Sequence, residues 1–326
     1  MPYAIDDKFK LELGGVKQSI RIRSRDSALP VLLFLHGGPG VCDRQWVLYE
    51  QEPLAQICTL VCWDQRGAGL SWSGNLNEGD MSVGKIVEDA HELVVYLKQR
   101  FQKRAIYLVG HAWGSLLGVL FAKKYPLDVA GYIGMGQFVS GAEGELMSYK
   151  TVYGQAKERG NSRALSTLSN MGYPKDGLYC NYEDFFAQRR LMTKFADPEY
   201  NEDMDFISGV MMPGLRRGEY TLMGLYKYLQ GAYFSIRTLW AEVVKYDLRY
   251  SVPRLDVPVF LTEGRHDTRM PTVLAEEWFN MLDAPEKQWR WFENSAHLPA
   301  INEAKAWGTA VRDYIRERES VNPSSK

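Results

Sequence analysis

No apolar stretch in this 326-residue chain is long enough to span a bilayer. The opening MPYAIDDKFKLELGG also lacks the basic start and apolar run of a secretory leader. Neither sign of charge dominates: 39 Lys and Arg stand against 40 Asp and Glu, a net charge of -1. That balance, without any basic stretch interleaved with aromatics, argues against a nucleic-acid partner. Cysteine is scarce. The four present, Cys42, Cys58, Cys62 and Cys180, lack a metal-binding C-x-x-C spacing and read as buried thiols rather than a disulfide framework. No repeat period or low-complexity block appears apart from the polar end Asn322–Lys326, read as a frayed tail. The expectation is a cytoplasmic protein with no membrane, nucleic-acid or metal partner.

What is present has an ordinary globular balance, 45% hydrophobic and 24% charged. Apolar runs bounded by turn residues read as strands at Val31–Leu35, Leu60–Trp63, Ala105–Val109, Ala130–Met135, Val259–Thr262 and Trp289–Phe292. Segments of helical spacing lie between several of them. Ser82–Phe101 places Ile86, Ala90, Leu93 and Leu97 on one stripe with Ser82 as N-cap. Ser115–Tyr125 is a buried helix stopped by Pro126, a helix opens near Pro271 and carries Trp278, Met281 and Leu282, and Ala304–Ile315 is the last. Strands alternating with helices predict an α/β fold with a mostly parallel sheet covered on both faces. The alternation stops near Gly136 and resumes near Val257, across a stretch rich in Tyr, Met, Phe and Arg. The domain reading is therefore a core in two parts, 1–136 and 253–326, with a helical insertion at 137–252.

Five motifs carry chemistry. FLHGGPG, residues 34–40, puts paired glycines after a buried strand, where backbone N–H groups can face a ligand oxygen. WDQRGAGLS, residues 63–71, reads as a structural turn tied by Asp64 and Arg66. VGHAWGSLLG, residues 109–118, has the strand–turn–helix setting and the flanking glycines of a G-x-S-x-G elbow, Gly110 and Gly114, but Ala112 occupies the central position. LTEGRHDTRMP, residues 261–271, offers Asp267 to orient a histidine, with Glu263 as competitor at the strand end. WFENSAHLP, residues 291–299, offers His297 as general base and acid. The order elbow, acid, histidine, each just after a strand, is hard to obtain by accident. His36, His91, His111 and His266 read as structural or pocket-lining.

HGGPG at 36–40, DQRGAGLS at 64–71, GHAWGS at 110–115, GRHD at 264–267 and SAH at 295–297 together resemble the α/β-hydrolase superfamily, and within it the proline iminopeptidase-like serine hydrolases. The resemblance implies an α/β-hydrolase fold with 137–252 as a cap, and cleavage of a small ester or amide without a cofactor. By position it implies Ala112 at the nucleophile, Asp267 as acid, His297 as base, and oxyanion donors from the backbone of Gly37 or Gly38 and of Trp113. An iminopeptidase must also bind a free amine, for which Glu143 and Glu145 are candidates against the plainer reading of surface acids. His36, His111, Glu143, Phe138 and Tyr233 are the substrate-binding candidates. The aromatic insertion tilts the expected partner toward a small molecule or short peptide with an apolar part. Ala112 carries no oxygen. The chain then reads as a nucleophile-less form, such as one engineered to trap ligand, with a non-catalytic small-ligand binding protein on the same scaffold as the alternative.

Overall fold

A computed structural model describes residues 3–195 and 206–321, the backbone alone for residues 206–208. The expected tail at 322–326 lies outside the described residues. One eight-stranded sheet runs through the molecule: β1 (Ile5–Leu13), β2 (Val16–Ser24), β3 (Val31–Leu35), β4 (Thr59–Asp64), β5 (Ile106–His111), β6 (Val129–Met135), β7 (Val259–Gly264) and β8 (Lys287–Phe292). The spatial order is β1-β2-β4-β3-β5-β6-β7-β8. Six of these strands, β3 to β8, match the runs read from sequence and pair with one another in parallel; β2 pairs antiparallel with both β1 and β4.

The helices are α1 (Arg44–Glu50), α2 (Val83–Phe101) and α3 (Trp113–Lys124) before β6. Between β6 and β7 come α4 (Gly141–Glu158), α5 (Ser162–Met171), α6 (Tyr182–Phe195), α7 (Met212–Arg216), α8 (Leu222–Val243) and α9 (Leu248–Ser251). The chain closes with α10 (Thr272–Met281), α11 (Pro299–Asn302) and α12 (Ala304–Val321). Because successive side chains of a strand point to opposite faces, the central strands feed two cores. Leu33, Val61, Leu108 and Leu261 pack with Ile86, Leu93, Leu117 and Trp278 on one side. Leu32, Phe34, Tyr107, Val109 and Phe260 pack with Trp307, Val311 and Ile315 on the other. The Ser82 hydroxyl caps α2, accepting from the Lys85 amide at 3.1 Å.

Three readings differ. The β1–β2 hairpin precedes the first strand expected from sequence. Its outer strand alternates exposed charge with half-buried side chains, a fainter signal than the apolar runs of a doubly covered sheet; Gly14 and Gly15, both at positive φ, make the turn. Leu282, read on the helix that opens near Pro271, lies just past its end at Met281, and Cys180 is exposed while Cys42, Cys58 and Cys62 are buried; all four thiols are free. Among the described residues no helix is long and apolar enough to cross a membrane.

Candidate active site

β5 runs straight into α3 through a single residue. Ala112 sits there at φ 51°, ψ -116°, a region that a residue with a Cβ occupies only under strain, about 1–3 kcal/mol. Its amide donates to the Met135 carbonyl of β6 at 3.0 Å. The turn is tight enough to demand small neighbours. A Cβ at Gly110 would stand 2.6 Å from the Gly114 carbonyl oxygen, and one at Gly114 only 1.9 Å from that of Leu35. Trp113 is the first residue of α3, so its amide has no intrahelical acceptor, while its indole donates to Gln65 at 2.8 Å. Ser115 points back into the fold, donating to the Ala112 carbonyl and accepting from the Phe138 amide at 2.8 Å.

The loops after β3, β6, β7 and β8 converge on this elbow. A Cβ at Gly37 would lie 2.9 Å from His111 Nδ1 and 3.7 Å from the Ala112 methyl, so the glycine backbone faces both. His297 Nδ1 is 2.8 Å from Asp267 Oδ2. The other carboxylate oxygen of Asp267 accepts from the amides of Arg269 at 2.8 Å and Met270 at 3.0 Å, which fixes the acid in orientation. Acid and histidine meet because β7 and β8 are parallel neighbours whose loops are stitched together. The Arg265 amide donates to Phe292 at 2.9 Å and that of His266 to Ser295 at 3.0 Å. Gly136, at φ 56°, lies against the pair: a Cβ there would be 3.0 Å from His297 Nδ1 and 3.2 Å from Asp267 Oδ2. Met135 therefore holds the elbow while its neighbour Gly136 packs against the acid–histidine pair. Ala112, Asp267 and His297 are all nearly sealed from solvent.

Burial sets the charge states around them. Glu263, the sequence's alternative acid, is fully buried and accepts from the Gln137 amide at 3.1 Å rather than meeting a histidine. Burial, then the like charge of Asp267, pushes its carboxyl well above the usual range. His111 lies with its ring 4.8 Å from that of His297 and edge-on to Trp46. Burial first and neighbouring His297 next hold it well below an ordinary histidine, hence neutral. A contact with the His297 backbone opposes that shift only in part.

The other substrate-binding candidates are spread between loop, core and surface. His36 is fully buried beneath the glycine loop, with Nδ1 2.8 Å from the Gly37 carbonyl and Nε2 accepting from the Gln65 amide at 3.1 Å; both ring nitrogens are engaged in supporting the loop. Glu143 is on the exposed side of α4, paired with Arg249, and Glu145 is buried against Arg189, so neither is a loop acid awaiting an amine. Tyr233 stacks on Phe186 at the surface, 43% exposed. Phe138 is buried with the main core. Asp64 and Arg66 do tie their turn, through Arg44 and Asp89 respectively. Sequence reading passes over Gly136, whose only signal is a glycine directly after a strand, and Arg269, two residues past the acid. Among the described residues no group of His, Cys, Asp or Glu is arranged to hold a metal ion.

Residues 30–170 match a family described as alpha/beta hydrolase fold. Over 314 residues, 94% of this chain and 95% of the relative, the sequence is 31% identical to "Probable aminopeptidase YbaC" of Bacillus subtilis (strain 168). The chain belongs to the α/β-hydrolase family. This hydrolase-family chain is also 21% identical to a proline iminopeptidase of Heyndrickxia coagulans, across 93% of its own length and 96% of the relative's. Its fold matches the crystal structure of proline iminopeptidase from Mycobacterium smegmatis with a TM-score of 0.67 at 14% identity, covering 97% of this chain and 99% of that one.

Proposed function

We propose that the site is that of a serine-type hydrolase for small esters or amides, with the nucleophile's side chain reduced to a methyl group in this chain. The observation that carries the reading is Ala112: a non-glycine residue held at φ 51° on a strand-to-helix turn where packing alone asks only for something small. The surroundings are those such a nucleophile would use. His297 would take the attacking proton through Nε2 and return it to the leaving group, with Asp267 fixing its tautomer and stabilising the imidazolium. The amide of Trp113 and that of Gly37 or Gly38 would receive the oxyanion. The helices of 137–252 would form the cap over the substrate. The names of the relatives support an aminopeptidase-like or esterase-like reaction.

With a methyl at position 112 this chain binds ligand and turns it over weakly, since loss of one triad member lowers rate by roughly 10⁴ to 10⁶-fold. Such a form traps substrate or product. A non-catalytic small-ligand binding protein on the same scaffold is the second reading, favoured by Ala112 itself. Ala112→Ser separates them. Hydrolysis of p-nitrophenyl esters or aminoacyl arylamides by the serine form supports the enzyme; a serine form inert to the whole panel leaves the binding protein.

A further inference from the structure

Two arginines lie between α6 and the loop that follows β7, and only one has a counter-charge in contact. Arg189 donates to both carboxylate oxygens of Glu145, at 2.7 and 2.5 Å, and stacks over Phe185. Arg269 makes no ion pair among the described residues. Its Nη2 donates to the Thr193 hydroxyl at 2.8 Å, and its Nε–H is buried with no acceptor. Asp267, two residues away, is turned from it: one oxygen serves His297 and the other serves main-chain amides. A further donor waits beside Arg189. Gln188 is fully buried, its carbonyl oxygen accepts from Arg189, and its Nε2 has no partner among the described residues.

Arg269 adjoins the site: its amide donates to Asp267 Oδ1 at 2.8 Å, and its charge adds to the effects that hold the His111 ring neutral. Burial, then the like charge of Arg189, depresses Arg269 itself to about 10 even though the nearby charge of Asp267 works the other way, so the cation is only partly compensated. A carboxylate would supply the missing acceptor and the missing charge together, in the planar form that guanidinium matches. A free ammonium would meet repulsion, and the acids that might have held it, Glu143 and Glu145, are already paired with Arg249 and Arg189.

We propose that Arg269, assisted by the side-chain amide of Gln188, receives a carboxylate carried by the substrate, so that the site takes acidic esters or amides rather than substrates with a free amine. The scissile bond in that statement rests on the hydrolase reading above; the anion site does not. The test uses the protein as it stands, with probe integrity checked after each run: calorimetric titration with 4-phenylbutyrate and with 4-phenylbutyramide, alike in shape and different in charge. The acid should bind about tenfold or more tighter. Arg269→Met should abolish the preference, Arg269→Lys should keep part of it, and Gln188→Leu should weaken it. Equal affinities in the unsubstituted protein, binding of neither probe, or a preference that survives Arg269→Met overturns the proposal. The two readings fail separately. A serine form active on neutral esters, with acid and amide bound alike, removes the anion site and leaves the hydrolase. An inert serine form with the acid preference intact does the reverse.

Discussion

Replacing Ala112 by glycine should do something buried alanines do not do. Three effects compete. Glycine has no Cβ to strain at φ 51°, which relieves about 1–3 kcal/mol. Against this, the unfolded chain becomes freer by about 0.4–1 kcal/mol, and a sealed methyl is lost, worth about 0.8 kcal/mol. With the middle of each range, the net change centres near a gain of about 0.5 kcal/mol. Ala122 supplies the reference: it lies in the helix that the elbow opens, α3, and is equally buried. Ala122→Gly carries the helix penalty of about 1 kcal/mol and the same methyl loss with no strain to relieve, so it should destabilise by about 2 kcal/mol. Urea unfolding with an unchanged m value measures both. An Ala112→Gly protein that weakens as much as Ala122→Gly would show that the elbow holds no strain, and the argument from its geometry would fail.

Other consequences can be checked alongside. In the Ala112→Ser background, Gly136→Ala should lower kcat about tenfold or more, because its Cβ would press on His297 and Asp267 and small misplacements of reacting groups are costly. Gly15→Ala, equally at positive φ but with open space around it, should lose stability without touching kcat; equal kcat losses in both would contradict the contact. His36 is held at about 4 by burial, against 6.5 when free, so between those values the unfolded chain binds the proton that the folded one refuses. Stability from this group is present above pH 6.5 and is lost as pH falls toward 4, by about 3 kcal/mol in total. His36→Gln should flatten that acid limb relative to the unsubstituted protein, and an unchanged slope would show that the ring is charged when folded. Asp43, raised to about 8 by burial, acts oppositely above pH 4 in both proteins, and comparison of the two cancels it.

The central parallel strands were legible because they are buried on both faces and so read as apolar runs; β3 is Val-Leu-Leu-Phe-Leu without interruption, while the edge strand β8, Lys-Gln-Trp-Arg-Trp-Phe and mostly half-buried, shows itself only by its aromatics. The order of elbow, Asp267 and His297 was legible because each motif stands at the carboxyl end of such a strand, where loops gather. The contents of the pocket were not. Glu143 and Glu145 are neighbours in one helix, yet one is exposed and the other buried, each against a different arginine far along the chain. Tyr233 is one of several aromatics on α8, and nothing local says that its ring turns to Phe186 at the surface. Partnership of this kind depends on how α4, α6 and α8 pack, a tertiary matter that spacing along one helix does not encode. Arg269 was missed for the same reason: only the fold shows that Asp267 turns away from it.

If position 112 lacks nothing but an oxygen, restoring that oxygen restores the nucleophile. Ala112→Ser treated with a fluorophosphonate probe, followed by mass analysis of the peptide containing residue 112, tests this directly. One probe adduct per chain on the introduced serine, abolished when His297 is also changed to alanine, is the expected result. No adduct at that position, or labelling indifferent to His297, would contradict it.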